Sequence, residues 1–389
     1  MADHPKGRWD LLRRRDFIGL ALGAILSPAA ALAAFSRAAS SAKKRLFQLN
    51  QYPVDAETPL DLLGSYITPN DLFYVRSHWR PTFPDPALWT LGVDGEVSRP
   101  LRLTLDELKR MPRSSATCVL MCSGNGRGLF KPSVPGVQWH WGAVGNARWT
   151  GVRVRDLLEK AGLKSSAKYL YTSGADAPPA DVPPFHRSVE IPKLLDDGIV
   201  AYEMNGAPIP ELHGSPARLI VPGWAGEHWT KWLIHLSAHS KPQTGFYMDT
   251  AYRFPLHPGA PGEAISPSQM KPITELVVKS CITSYPKRAK AGLPATIRGF
   301  AFSGAPDISK VEISDDGGIT WNKAALGAEH DPYAWRLWSF EWTPKTPGAH
   351  TLMARAQDIR GRVQPREGVW NPGGYLYNGW HAVNIEAAS

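Results

Sequence analysis

Cysteine is nearly absent from this chain. Three in 389 residues, Cys118, Cys122 and Cys281, cannot all pair. They form no CxxC, so the sequence offers neither a disulfide scaffold nor a cysteine-built zinc site. There is no CxxCH either, which excludes haem held covalently on this chain. Charge is modest, with Asp, Glu, Lys and Arg at 20% against 43% hydrophobic residues, a globular balance rather than a disordered one. Long apolar runs are also missing: FIGLALGAIL, soon followed by Pro28, falls short of the ~20 residues a membrane-spanning helix needs. Internal repeats and low-complexity tracts are not found.

The formal charge is +9, but nine of the lysines and arginines, against three aspartates, fall within residues 1–45. Little net charge is left for the rest, and no basic stripe marks a nucleic-acid footprint there. No nucleic-acid partner is therefore expected. The basic start, the short apolar run and the Ala31-Leu32-Ala33 site have the order of a secretory signal. Arg14-Arg15, followed by Asp16 and Phe17, fits the twin-arginine form. The expectation is a periplasmic protein exported already folded, with residues 1–45 as signal and unstructured start and no membrane span after cleavage.

At this length two domains are expected. Residues 46–255 read as α+β. LTLDELKRM and VRDLLEKAGL carry apolar residues at helical spacing, the second ending in a capping Gly, while YLYTSG and RLIVPGW read as short buried strands. Residues 256–272, dense in Pro and Gly, read as a linker. Residues 273–389 change to short alternating strands with Asp316-Gly317 as a hairpin signal, which predicts an all-β, immunoglobulin-like sandwich.

Three stretches carry chemistry. In CVLMCSGNGRGLF (118–130) a strand end runs into a glycine-rich turn. The GxGxG there lacks the context of a dinucleotide or phosphate loop. On local chemistry Cys122 is a buried filler, half of a disulfide, or a thiolate ligand favoured by Arg127 nearby. FYVRSHW places Arg76 and His78 on one side of an extended segment. HGSPARLIVPGWAGEHWTKW sets His213, Arg218, His228 and Lys231 among apolar or small residues. Their partners are either acids such as Glu203, Glu211 and Glu227 or an anionic ligand, and as a set they favour the anion.

Taken together, FYVRSHW, CSGNGRG, GVQWHWGAVGNARWTGVRVRDLL, VAYEMNGAPIP, LHGSPARLIVPGWAGEHWTKWL, DTAYRF, SDDGGITW, YAWRLW and NGWH resemble the sulfite oxidase family of molybdenum enzymes over nearly everything after the signal. The resemblance implies a sulfite-oxidase-type molybdopterin domain followed by an immunoglobulin-like dimerisation domain, and a molybdenum–molybdopterin cofactor. Cys122 looks like the thiolate that binds molybdenum, a soft ligand suited to a metal that changes oxidation state. His78, Arg153, His213, Arg218 and Lys231 fall where the family holds the pterin and its phosphate, with Asp176 as an acidic pterin contact. Arg76 and Arg127 match cations lining the substrate pocket, Trp139 an aromatic wall, and Tyr252 the tyrosine whose hydroxyl faces the metal.

The implied activity is oxidation of sulfite to sulfate. Animal members carry an arginine from the second domain where this chain has Gly373, which implies one cation fewer or a wider pocket. With no haem domain ahead of the molybdenum domain, the expected acceptor is a separate c-type cytochrome, and the expected assembly a homodimer through the C-terminal domain. A sulfane dehydrogenase subunit of a thiosulfate-oxidising complex is the near alternative. A methionine sulfoxide reductase, which matches the first domain only, and a nitrate reductase, which adds haem and flavin domains, fit less well. Outside the class stands an exported binding protein with an inactive cofactor site. Placing Arg76 against the anion generates one test: Arg76→Gln should raise KM for sulfite strongly in steady-state assays, and an unchanged KM would refute the placement.

Overall fold

The computed structural model describes residues 45–51 and 53–389. The twin-arginine segment lies outside the described residues. What is described is mostly β with a few short helices, in two layered parts.

The first part packs two sheets face to face. One runs, in order, Ala207–Pro208, Ile199–Met204, Val144–Arg153 and Ser114–Met121, with Arg218–Ile220 also paired to Ile199–Met204, all antiparallel. The other runs Leu101–Thr104, Thr90–Gly95, Leu233–His239, Tyr169–Gly174 and His186–Glu190, its one parallel pairing between Thr90–Gly95 and Leu233–His239. Between them Trp149, Leu170, Val200, Leu219 and Leu236 are fully buried, which is what gives β-branched and large apolar residues their value on a pleated face.

The helices follow their sequence signals. Leu105–Lys109 starts at Thr104, which forms a reciprocal capping box with Glu107. Val154–Ala161 buries Val154, Leu157, Leu158 and Ala161 along one stripe and stops at Gly162, whose φ of 70° is left-handed.

The second part is a two-sheet sandwich of immunoglobulin type. Lys279–Ser284, Ala295–Phe302, Arg336–Trp342 and Ala325–Leu326 form one sheet. Arg288–Lys290, His381–Ala388, Gly348–Asp358, Ile308–Ser314 and Asn322–Lys323 form the other. The last strand, HAVNIEAA, alternates strictly between buried and exposed, as a strand with one face on a core must. Ile297, Val311, Trp338, Leu352 and Ile385 fill the interior.

The two parts share a core. Val119, Met121 and Val144 of the first lie in one apolar cluster with Phe300, Phe302, Trp335 and Leu376 of the second. Polar ties reinforce it. The Trp335 indole donates to the Tyr66 carbonyl at 2.8 Å, and the buried Lys279 donates to Asn125 Oδ1 at 3.2 Å. The Pro/Gly-rich stretch read as a linker is closed at its base, because Arg253–Pro255 pairs antiparallel with Met270–Pro272. Proline at the ends of such short strands costs no ladder bond that matters.

His381 joins this interface, its ring edge-on to Trp141 at 4.7 Å and its Nδ1 accepting from the Ile282 amide at 3.1 Å. Burial, with the charge of Lys279, holds its pKa down to about 4. The folded protein therefore binds fewer protons here than the unfolded chain between about pH 4 and 6.5. Its contribution is complete above 6.5 and is lost as pH falls towards 4, on the order of 3 kcal/mol if burial is maintained. Urea unfolding of wild type and His381→Asn at pH 7 and pH 4.5 should show a smaller acid loss in the variant; equal losses would contradict the assignment.

Candidate active site

The strand Ser114–Met121 ends where its sheet meets the second part, and the chain then turns tightly through Cys122-Ser123-Gly124-Asn125-Gly126. Glycine is required at 126, and a larger residue at 124 would crowd Arg127. A Cβ on Gly124 would lie 3.0–3.1 Å from the Arg127 guanidinium, and one on Gly126, at φ 90°, would strike Tyr377 at 2.7 Å. The turn thus presents Cys122 at the wall of a cleft holding about 750 Å³ of space, part of it open to solvent.

Five elements converge on this cleft. The segment after the Ala56–Val75 bridge brings Arg76, Ser77 and His78. The end of strand Tyr169–Gly174 brings Asp176. The turns around Arg218–Ile220 bring His213, Arg218, Glu227 and Lys231, and the turn after helix Phe246–Asp249 brings Tyr252. Tyr252 has a φ of 56°, unusual for a bulky residue. Its hydroxyl lies 2.7 Å from His78 Nε2.

The cleft is electropositive and its basic groups are anchored. Lys231 Nζ donates to the Arg76 carbonyl, Ser77 Oγ and the Leu212 carbonyl at 2.9, 3.2 and 3.0 Å. Burial and the charge of Arg218 push its pKa down, with Asp176 pulling the other way. Arg218 donates to the carbonyls of His213 and Trp229 at 2.8 and 3.0 Å, and burial lowers its pKa to about 10. His213 is held at about 3 by burial and by Lys231 and Arg218, so it is neutral and donates to the Asn70 carbonyl at 3.2 Å. His78 is likewise held well below its ordinary range by burial and then by Arg76 and Lys231. Burial raises the Cys122 thiol while Arg76 and Arg127 draw it down.

Of the residues read from the sequence, Arg76, His78, Cys122, Asp176, His213, Arg218, Lys231 and Tyr252 all line this cleft. Three do not. Arg153 is exposed at the end of Val144–Arg153, its Nε 3.4 Å from Ser114 Oγ. Strand alternation points Val152 inward and Arg153 out, so the expected pterin contact is corrected to a surface position. Trp139 is fully buried behind the wall, edge-on to Tyr74 at 6.3 Å. Arg127 is packed beneath the turn, donating to the carbonyls of Gly373 and Val137 at 3.0 and 3.3 Å, with its charge still felt at Cys122.

Gly373 opens no extra room. The Tyr375 ring stands where a side chain at 373 would project, 2.2 Å from a built Cβ. Arg187 and the setting of Glu227 are not evident from the sequence. Both are buried, with Glu227 in the cleft wall and its pKa pushed up to about 7 by burial against the pull of Arg187. The one signal was an acid within an otherwise apolar run.

Residues 78–247 match the family described as "Oxidoreductase molybdopterin binding domain", and residues 270–388 the "Mo-co oxidoreductase dimerisation domain". Fold and site thus define a molybdopterin oxidoreductase. The chain is 35% identical over 356 residues to "Sulfite oxidase, mitochondrial" of Homo sapiens, covering 86% of this chain and 65% of that one. It is 32% identical over 363 residues to "Sulfite oxidase" of Arabidopsis thaliana, covering 85% and 91%. The solved structure of the sulfane dehydrogenase SoxCD from Paracoccus pantotrophus is similar at TM-score 0.75 and 27% identity, covering 98% of this chain and 96% of that one. The chain belongs to the sulfite oxidase family. It spans 62% and 65% of the lengths of the Drosophila melanogaster and human sulfite oxidases.

The residues present fit a molybdopterin. Among the described residues no group of three His, Cys, Asp or Glu side chains is placed to hold a metal. The protein offers one sulfur, and a metal bound there must bring its remaining ligands with it, as molybdenum on a pterin dithiolene does. Arg218 Nε is buried in the cleft without a protein partner, the condition a polar ligand would relieve. Arg218, Lys231, His78 and His213 would hold the pterin and its phosphate, and Cys122 the metal.

Because Lys231 ties three acceptors together, Lys231→Met should cut cofactor retention at least roughly tenfold. Molybdenum by mass spectrometry and oxidised pterin by fluorescence would measure this on purified protein. Full occupancy in the variant would remove Lys231 from the cofactor site.

Proposed function

We propose that this chain is a sulfite dehydrogenase: it oxidises sulfite to sulfate and passes the electrons to an external c-type cytochrome. The observation that carries the reading is the meeting of Arg76, Tyr252 and Cys122 on one cleft wall, with the charge of Arg127 reaching the same thiol. A small, compact anion is the ligand such a site favours.

Sulfite and water give sulfate, two protons and two electrons; molybdenum on its pterin, held at Cys122, would supply the two-electron couple and the oxygen transfer. The protein's own part is electrostatic and positional. Arg76 is fixed by Asp55 at 3.2 Å through Nη1 and lines the cleft. Held in place before the anion arrives, its charge needs no reorganisation during reaction. The Tyr252 hydroxyl stays protonated, because burial raises its pKa well above the usual value. Paired with the neutral His78, it can donate a hydrogen bond to a bound oxyanion and hand a proton along. Phe185, stacked on His78 at 4.5 Å, and Tyr247 at 5.0 Å close the apolar side against water.

The twin-arginine start supports a periplasmic site of action, and the dimerisation domain supports a homodimer. The likeness to SoxCD across nearly the full chain favours a second reading, oxidation of sulfane sulfur carried on a protein.

One experiment separates the two. Molybdenum-loaded protein should reduce cytochrome c with sulfite and be far slower with thiosulfate conjugated to a carrier cysteine. The reverse preference would assign the sulfane activity, and inertness towards both would leave a binding protein. Tyr252→Phe should lower kcat by roughly tenfold to a hundredfold with a smaller change in KM; an unaltered kcat would exclude a role for the hydroxyl.

A further inference from the structure

The second domain does more than pack against the first: one of its side chains sits between two groups of the site. Tyr375 stacks on Tyr252 with centroids 5.4 Å apart at 29°, and its other neighbour is the Arg127 guanidinium, 5.1 Å from the ring centre. Its hydroxyl oxygen accepts from the Tyr252 backbone amide at 3.3 Å. That amide belongs to the residue whose φ is 56°, a conformation that persists in a bulky residue only when its surroundings over-determine it.

Tyr375 is itself tightly placed. Asn371 Oδ1 accepts from its amide and Asn371 Nδ2 donates to its carbonyl, both at 2.9 Å. The next amide, of Leu376, donates to the Ser123 carbonyl at 2.7 Å, which pins the loop to the residue after Cys122. Gly374, at φ 59°, admits no Cβ, since one would meet Val134 at 2.3 Å and Arg127 at 2.7 Å. The loop is thus shaped to present this ring at this place.

We propose that Tyr375 is a positioning residue: its hydroxyl holds Tyr252 in the left-handed conformation that aims the Tyr252 phenol at His78, and its ring holds the Arg127 guanidinium beneath the Cys122 turn. The site is incomplete without the second domain, although no cleft-lining group comes from it except through this contact. The kinetic part of the test rests on the sulfite reading above; the structural part does not.

Tyr375→Phe keeps the stack and the face offered to Arg127 but removes the acceptor. It should lower kcat for sulfite roughly five- to tenfold, with KM changed by less than about twofold. Tyr375→Leu removes the ring as well, loosens Arg127 beneath the Cys122 turn, and should lower kcat by a further roughly tenfold. Hydrogen exchange followed by mass spectrometry reports the contact directly. The Tyr252 amide should exchange at least about tenfold faster in Tyr375→Phe, at unchanged molybdenum content and an unchanged Tm.

Wild-type kinetics in both variants together with wild-type protection of the Tyr252 amide would overturn the proposal. Should Tyr375→Leu fail to fold, the Phe variant decides alone. If the wild-type protein proves inert towards sulfite, only the sulfite reading fails: lost amide protection would still support the positioning role, and retained protection would refute it.

Discussion

Positive charge gathered in one cleft is the constraint on which the rest of this structure depends. Arg76, Arg218 and Lys231 meet there, with Arg187 buried behind them, against Asp55, Asp176 and Glu227. Taking that many ions from water is costly unless each is held by dipoles or a ligand. The fold answers by aiming backbone carbonyls at the cations: those of Arg76 and Leu212 at Lys231, and those of His213 and Trp229 at Arg218. Carbonyls can be aimed only by a rigid scaffold, and two packed sheets provide it. The residual positive potential is what draws an anionic cofactor and an anionic substrate to one place.

The same electrostatics explain why the histidines are neutral and the thiol is balanced. Each extra positive charge would be repelled by those already present, so His78 and His213 keep their lone pairs and serve as hydrogen-bonding groups. Cys122 feels opposite pulls, burial against two guanidinium groups. A metal bound to the sulfur would settle that contest in favour of the thiolate.

Much of this was legible in the sequence where the determining contacts are local. The Thr104 and Gly162 caps, the strand-to-turn change at Cys122 and the alternation of the last strand follow from neighbours within a few residues. The clustering of Arg76, His78, His213, Arg218 and Lys231 was foreshadowed by several basic groups placed in largely apolar runs. Arg153 misled because a resemblance of motif does not say which face of a strand a residue occupies. Tyr375 was invisible for a different reason. Its partners, Tyr252 and Arg127, are more than a hundred residues away, and nothing in WNPGGYLYNGW marks one tyrosine above the other. In the sequence Glu227 stands as one acid that could pair with the cations, whereas its place in the cleft wall depends on how the Gly226–His228 turn folds back over Met121.

The closed base of the Pro/Gly-rich stretch has a bearing on how the chain tolerates damage. Residues 257–268 form a largely exposed loop whose two ends are fastened by the pairing of Arg253–Pro255 with Met270–Pro272 and by the bond from the Leu256 amide to the Gln269 carbonyl at 2.8 Å. A protease cutting inside this loop would sever the polypeptide without separating the halves, since the apolar cluster that includes Val119, Met121, Phe300 and Trp335 still spans the break. The nicked molecule would run as two fragments only after denaturation. For such a chain, continuity of backbone and continuity of structure are separate properties.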